Sequence, residues 1–311
     1  MTLTRPRALK AGSTLAIISP ASTPKPDLVH AGIAALHALG YRTRLYPHAL
    51  DRGPLYYAGT LEHRLQDLHA AFADEAIDAI LCTRGGWGSA ELLPHLDAAL
   101  IRRNPKPFLG YSDHTSLHIW LRQVAGLITF QAPMAAADFS RTEGPDLSSW
   151  HAALTAASPW TLTATSGLRT LRAGLAHGPL TGGCISILAE SLGTPYAAQP
   201  SAGVLFLEDI HVKPYQWDRL LVHLRLAGLL ATATGIVLGD MAQSCDASDQ
   251  FQLEGAILHS LRDFPGPIAI GLRSGHVSAG NITLPFGVPV TLDLTVAENP
   301  RMHFLEPAVT V

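Results

Sequence analysis

The stretch Ile77-Asp78-Ala79-Ile80-Leu81-Cys82-Thr83-Arg84-Gly85-Gly86-Trp87-Gly88-Ser89 decides the fold. Ile77 to Cys82 is apolar except for Asp78, the pattern of a strand covered on both faces. A turn with three glycines in four positions follows, and Leu92 and Leu93 then open a helix. A doubly buried strand that feeds a tight turn and a helix is the repeating unit of a parallel α/β sheet. Toward the N-terminus the same unit recurs. Thr14 to Ile18 reads as a buried strand, and Pro26 suits the first position of a helix whose apolar face is Leu28, Ile33, Leu36 and Leu39. Gly40 closes that helix, and Thr43 to Tyr46 is the next strand. Leu61, Leu65, Leu68 and Phe72 mark a second helix. Toward the C-terminus, Pro107 to Gly110 is a fourth strand, running through Tyr111-Ser112-Asp113 into a helix over His114 to Val124.

The rhythm breaks between Asp138 and Ala173, a stretch rich in Ser, Thr, Gly and Pro around one short helix, Leu147 to Ala156. The expected fold is therefore α/β: an N-terminal domain with an open, mostly parallel sheet over 1–155, a linker region over 156–175, and a smaller mixed α/β domain over 176–311. The second half carries short strands at Val204 to Leu207, Gly235 to Leu238, Ile268 to Ile270, Asn281 to Leu284 and Val290 to Leu294. Two helices accompany them, one from Gln216 through Leu226 and one over Phe251 to Leu261.

Composition narrows the function. The chain has 311 residues, enough for about two domains at roughly 150 residues each. With 47% hydrophobic and 15% charged residues it is a globular chain, not a disordered one. A net charge of -3 gives no basic stripe for nucleic acid and no polybasic membrane surface. Cys82, Cys184 and Cys245 are too scattered for a disulfide framework, and no C-x-x-C is present. The first apolar run, Leu15 to Ile18, is shorter than the about 7–15 residues of a signal peptide and far short of the about 20 of a membrane span. A cytoplasmic protein is expected.

Four segments carry chemistry. Gly110-Tyr111-Ser112-Asp113-His114-Thr115 puts a serine on a sharp strand-to-helix turn, before the orphan N–H groups and positive dipole end of the helix. That is the logic of a nucleophile elbow, although G-x-S-x-G is not met; the competing reading is that Ser112 or Asp113 only caps the helix. Arg84-Gly85-Gly86-Trp87-Gly88-Ser89 permits close backbone approach and is neither a Walker loop nor G-x-G-x-x-G. It can form an oxyanion hole, cradle phosphate, or simply turn the chain. Leu205-Phe206-Leu207-Glu208-Asp209 ends a strand in two acids that face opposite sides, either of which can orient a histidine or cap a helix. Ser274-Gly275-His276 places an imidazole in a loop between strands. His114 and His118 share a helix face but lack the Glu of H-E-x-x-H, so they read as a structural pair, and Cys82 reads as core. No metal or organic cofactor is expected.

Joined in order, these segments resemble the murein LD-carboxypeptidases, a serine-peptidase family that includes microcin-immunity hydrolases. The resemblance runs along nearly the whole chain. It covers Ile17 to Ser22, Arg84 to Ser89, Leu92-Leu93-Pro94, Leu109 to Asp113, Pro133-Met134, Gly182-Gly183, Leu192 to Tyr196, Phe206 to Asp209, Tyr215, Asp218-Arg219, Gly275-His276 and Leu284 to Gly287. It implies a Ser-Glu-His triad in which Ser112 is the nucleophile, His276 the general base and acid, and Glu208 the orienting carboxylate. It also implies an oxyanion hole from the backbone N–H groups of Gly86 and Asp113, with the site formed where the domains meet. Arg84 and Trp87 are candidate substrate contacts. The implied substrate is a murein peptide: removal of terminal D-alanine from a tetrapeptide in cell-wall recycling. The alternatives are hydrolysis of a microcin-like aminoacyl nucleotide and a catalytically silent small-molecule binding protein. Members are often homodimers, and the sequence leaves the oligomeric state open. This chain departs from the family pattern at Gln131-Ala132 (usually His-Gly), at Cys184 (usually Asn after Gly-Gly) and at His211-Val212-Lys213, where an acid is usual. None of these touches the triad.

Overall fold

The computed structural model describes residues 3–155, 159–241 and 249–311. Cys245, the expected helix end at Ala156 and the expected linker positions 156–158 lie outside them. The chain divides into two compact units, one of Met1–Ser158, Ala279–Pro285 and Pro307–Val311, the other of Pro159–Ser278 and Phe286–Glu306.

The first unit follows the expected alternation: β1 (Thr14–Ile18), α1 (Pro26–Ala38), β2 (Arg42–Leu45), α2 (Leu61–Ala73), β3 (Ala79–Cys82), α3 (Ser89–Leu92), α4 (Ala98–Arg103), β4 (Phe108–Gly110), α5 (Thr115–Trp120), β5 (Thr129–Gln131) and α6 (Leu147–Leu154). The strands lie in the order β2-β1-β3-β4-β5, each neighbouring pair parallel. Every residue of β3 is buried, as its apolar run requires. The buried stripe of α1 is Val29, Gly32 and Leu36, whereas Leu28 and Leu39 are exposed. Gly32 sets that rotation, because a Cβ there would come within 2.0 Å of the Ala135 carbonyl oxygen. The expected helix over His114 to Val124 is a 3₁₀ turn (Ser112–His114), then α5, then a π turn (Leu121–Ala125) closed by left-handed Gly126. Strand order reverses at β1 and β3, and in open α/β sheets the crevice outside the carboxyl ends at such a point takes the ligand. The turns after β1 and β3 are Ser19 to Ser22 and Thr83 to Gly88.

The chain continues with β6 (Trp160–Leu162), β7 (Arg169–Arg172), β8 (Leu175–Cys184), α7 (Ile185–Ser191), β9 (Val204–Glu208), α8 (Pro214–Leu226), β10 (Gly235–Gly239), α9 (Gln250–Ser260), β11 (Ile268–Leu272), β12 (Leu284–Phe286), β13 (Pro289–Asp293) and β14 (Arg301–Phe304), all in the second unit except β12, whose Leu284 and Pro285 belong to the first. The sheet of the second unit has the order β6-β14-β13-β8-β9-β10-β11-β7. Strands β8 to β11 are parallel, and the flanking strands pair antiparallel. From Pro159 onward the stretch expected as linker belongs to this unit and supplies β6 and β7, the two sheet edges. Edge strands are half solvated, so they lack the apolar runs that mark central ones; β6 is held by Trp160 stacked on Phe304 at 4.4 Å. Strand β12 sits beside β5 in the first sheet and begins three residues later than expected. The residues before it are bonded differently: the Asn281 amide Nδ2 donates to Asp138, and the Thr283 N–H donates to the Ser149 hydroxyl.

Candidate active site

The chain enters the elbow extended at Tyr111, with φ −149° and ψ −168°. Ser112 then takes φ +65°, the only serine with a positive φ among the described residues. A non-glycine residue in that region is strained, and such strain concentrates where a side chain must be aimed. Gly85 makes the turn possible, because a Cβ there would stand 2.7 Å from Ser112 Cβ and 2.9 Å from its Oγ. The loop after β3 therefore lies directly against the serine. Asp113 ties the two loops together: its Oδ2 accepts the Ser89 N–H at 2.8 Å, capping α3. Asp113 thus caps α3 and not, as the capping reading expects, the helix that follows it, while Ser112 is half-buried at the turn.

The glycine loop is fastened from below. Gly86 has φ +109°, and a Cβ on it would meet Ser22 Oγ at 2.3 Å. That hydroxyl accepts the Trp87 N–H at 3.0 Å and lies 3.3 Å from the Trp87 carbonyl oxygen. Arg64, buried in α2, donates to the carbonyls of Gly88 (2.7 Å) and Pro20 (3.3 Å) and to Glu91 (2.6 Å). Sequence reasoning missed Arg64. The signal was present, for a cation three and four residues from Leu61 and Leu68 breaks the apolar face of α2. The Trp87 and Arg84 side chains are exposed, and among the described residues Arg84 forms no ion pair.

His114 and His118 are buried under the elbow. His114 Nδ1 donates to the Tyr111 carbonyl (3.0 Å) and His118 Nε2 to the Gly110 carbonyl (2.8 Å). These are the two carbonyls that precede Ser112, so the pair fixes the backbone from which the serine projects. Each ring packs edge-on to Phe108. Burial pushes the His114 pKa down to about 3 and that of His118 to about 4, so both are neutral. An unfolded histidine binds its proton near pH 6.5, well above these values, so the unfolded state takes up protons first as pH falls. The stabilisation from keeping both neutral is complete above about pH 6.5 and fades as pH falls toward about 4 for His118 and about 3 for His114, at a cost on the order of a few kcal/mol. Urea midpoints should drop over that window, and His118→Gln should flatten the drop. An unchanged slope would contradict this account. Burial also raises the Cys82 and Cys184 thiol pKa values, so neither is poised as a nucleophile.

In the second unit, Glu208 ends β9 and His276 follows β11. His276 Nδ1 lies 2.7 Å from Glu208 Oε2, and the same oxygen accepts the His276 N–H at 3.0 Å. A carboxylate at Nδ1 fixes the tautomer with the proton there and places the basic lone pair on Nε2. Asp209 faces the other way, accepting the Ser186 N–H at 3.0 Å near the start of α7. Strand alternation thus separates two adjacent acids into one that meets the imidazole and one that caps a helix. Gly275 has φ +91°, and a Cβ on it would lie 2.3 Å from Glu208 Cδ. Gly275→Ala should displace the carboxylate and lower kcat by about 10²-fold, the scale of a 1 Å misplacement. Activity within twofold of wild type would show that the pairing is not needed.

A strained serine on a strand-to-helix elbow in one unit and a carboxylate-fixed imidazole in the other are the kinds of group a serine-type hydrolase uses. Residues 15–132 match the LD-carboxypeptidase N-terminal domain and residues 177–292 the LD-carboxypeptidase C-terminal domain. The chain belongs to the LD-carboxypeptidase family. It is 35% identical to a probable murein peptide carboxypeptidase of Bacillus subtilis, over 93% of this chain and 91% of that one. It is 30% identical to the murein tetrapeptide carboxypeptidase of Pseudomonas aeruginosa, over 90% and 92%. The crystal structure of an MccF-like protein from Bacillus anthracis superposes with a TM-score of 0.88 at 26% identity, covering 97% of this chain and 99% of that one. Among the described residues no helix is long and apolar enough to cross a membrane.

Proposed function

We propose that this chain is a cytoplasmic serine LD-carboxypeptidase that removes terminal D-alanine from murein tetrapeptides, at the bond following the L-centre of the diamino acid. The observation that carries the reading is Ser112 at φ +65°, seated on Gly85 at the carboxyl end of a parallel strand. In this reading Ser112 Oγ attacks the scissile carbonyl carbon while His276 Nε2 takes its proton. The Gly86 and Asp113 N–H groups receive the oxyanion, a donor of this kind lowering the barrier by about 3–4 kcal/mol. The tetrahedral adduct collapses, the C–N bond breaks, and the imidazolium gives its proton to the departing D-alanine amine. Water, deprotonated by His276, then hydrolyses the acyl-serine ester. Glu208 holds Nδ1–H throughout and stabilises the imidazolium. Arg84 pairs with the D-alanine carboxylate, and Trp87 covers the peptide.

Family membership and the two murein-peptide relatives support this substrate class. Mass spectrometry of tri-, tetra- and pentapeptide murein fragments tests it. The tetrapeptide should lose one alanine, with the tripeptide and pentapeptide left intact. Hydrolysis of an aminoacyl nucleotide with no action on the tetrapeptide would move the assignment to the microcin-immunity branch.

A further inference from the structure

The first unit carries a second cluster of chemically capable side chains that the serine chemistry does not use. His48 follows β2, Asp51 opens the loop 51–59, and His63 lies in the first turn of α2. The Nδ1 atoms of both histidines converge on one oxygen, Asp51 Oδ2, at 2.8 and 2.9 Å. Their rings are stacked, 3.8 Å between centroids and 17° from parallel. One donor atom from each of the three residues lies within 4.8 Å of the others. We propose that His48, Asp51 and His63 bind one divalent transition-metal ion of the zinc class, which staples the loop 51–59 to the start of α2.

The chemistry of the donors selects the ion. Two imidazole nitrogens and one carboxylate oxygen suit zinc, cobalt or nickel, whereas magnesium and calcium take oxygen ligands. The donor spacing is close to what such an ion needs, and the two stacked rings, 17° from parallel, have to turn apart so that both planes meet at the ion. With bonds of about 2.0–2.1 Å in a tetrahedral shell, neighbouring donors stand about 3.3 Å apart. Each imidazole therefore has to retreat from Asp51 by only about half an ångström. The hydrogen that each Nδ1 now directs at Asp51 moves to Nε2 through solvent, leaving the Nδ1 lone pair for the metal, with no net proton released from a neutral ring. The side chains are 22%, 35% and 41% exposed for His48, Asp51 and His63, so a water fills the fourth corner. Hydrogen bonding from His48, and then from His63, holds the Asp51 carboxyl below its usual range, keeping it anionic.

The surroundings are built to hold the three in place. The His48 N–H donates to buried Asp67 at 3.0 Å, and the Thr60 hydroxyl caps α2 by accepting the His63 N–H. Gly59 leaves room at the neck of the loop: a Cβ there would lie 3.2 Å from Asp51 Cβ and 3.3 Å from His63 Cβ. The stapled loop bears on the elbow's supports. Thr23 Oγ1 donates to the Tyr57 carbonyl at 2.7 Å, and the Tyr57 ring lies under the Arg64 guanidinium that holds Gly88.

Tag-free, chelator-stripped full-length protein is titrated with Zn²⁺ by calorimetry and with Co²⁺ by visible absorption. Wild type should bind one equivalent, give the d–d bands of a tetrahedral centre, and gain roughly 5 °C or more in Tm at about a hundredfold excess over Kd, with no response to Mg²⁺. Asp51→Asn and His63→Gln should each weaken binding by more than the about 10–100-fold that loss of an outer-shell partner costs. If wild type takes up no stoichiometric zinc, or if both variants bind as wild type does, the proposal is overturned. The wild-type Tm response, present or absent, decides the matter should a variant fail to fold.

Discussion

Ser112→Ala is expected to lower kcat on a murein tetrapeptide by about 10⁴–10⁶-fold, with KM and the folded state little changed. The size of the effect follows from what remains. On the proposed mechanism no acyl-enzyme forms without the hydroxyl, and the N–H donors would retain only their share of oxyanion stabilisation. The fold should survive because serine and alanine both carry a Cβ, so the contact with Gly85 and the φ of +65° are no worse than before. Activity of the purified variant should be followed by release of D-alanine, with circular dichroism and Tm as controls. Retention of more than about a tenth of wild-type kcat would remove Ser112 from the nucleophile's role.

A comparably large effect is expected at His276, and its form is more informative than its size. His276→Ala should cost about as much as Ser112→Ala, and the double variant no more than either alone, because residues that act as one unit lose their function together. Glu208→Gln should cost less, about 10⁴-fold, since on the proposed mechanism it orients the ring and does not react. Asp209→Ala should leave catalysis nearly intact and lower stability by about 1 kcal/mol, the scale of a lost cap. The contrast rests on geometry already described: Glu208 Oε2 stands 2.7 Å from His276 Nδ1, while Asp209 accepts the Ser186 N–H. The readout is kcat/KM for each variant on one tetrapeptide. If the Ser112 and His276 losses multiply in the double variant, or if Asp209→Ala is the more damaging acid variant, the catalytic assignment is wrong.

The first sheet was legible because its strands are apolar runs between glycine turns and capped helices. Strand β8, in the middle of the second sheet, was not. Gly178, Gly182 and Gly183 hide it, since glycine weakens a strand in any local reading. The structure supplies the reason for one of them: a Cβ on Gly182 would lie 1.8 Å from the Phe206 carbonyl oxygen of β9, so only glycine fits. That demand comes from a residue 24 positions away and leaves no local trace. The edge strands β6 and β7 were hidden for the opposite reason, their Thr and Arg side chains being half solvated. At the candidate site, the elbow, the paired acids and the Gly-His loop were visible as short motifs. The strand-end motif left Glu208 and Asp209 open and the family resemblance selected Glu208, the acid that the structure pairs with His276. Arg64 left a local signal as a cation on the apolar face of α2, but its partners Gly88 and Glu91 lie on another segment, and the cluster closes only when His63, 12 residues on, meets Asp51.

Because the segment 279–285 returns to the first unit, the half that carries Ser112 is not a contiguous fragment of the gene. During synthesis, at about 5–20 residues per second, β5 emerges on the order of ten seconds before its outer neighbour exists. For that interval its open edge invites pairing with another nascent chain or capture by a chaperone. A clone ended after α6 would make the exposure permanent, losing the bonds from Asn281 to Asp138 and from Thr283 to Ser149. The N-terminal half expressed alone should therefore precipitate, and a peptide spanning the returning segment, supplied in trans, should rescue its solubility.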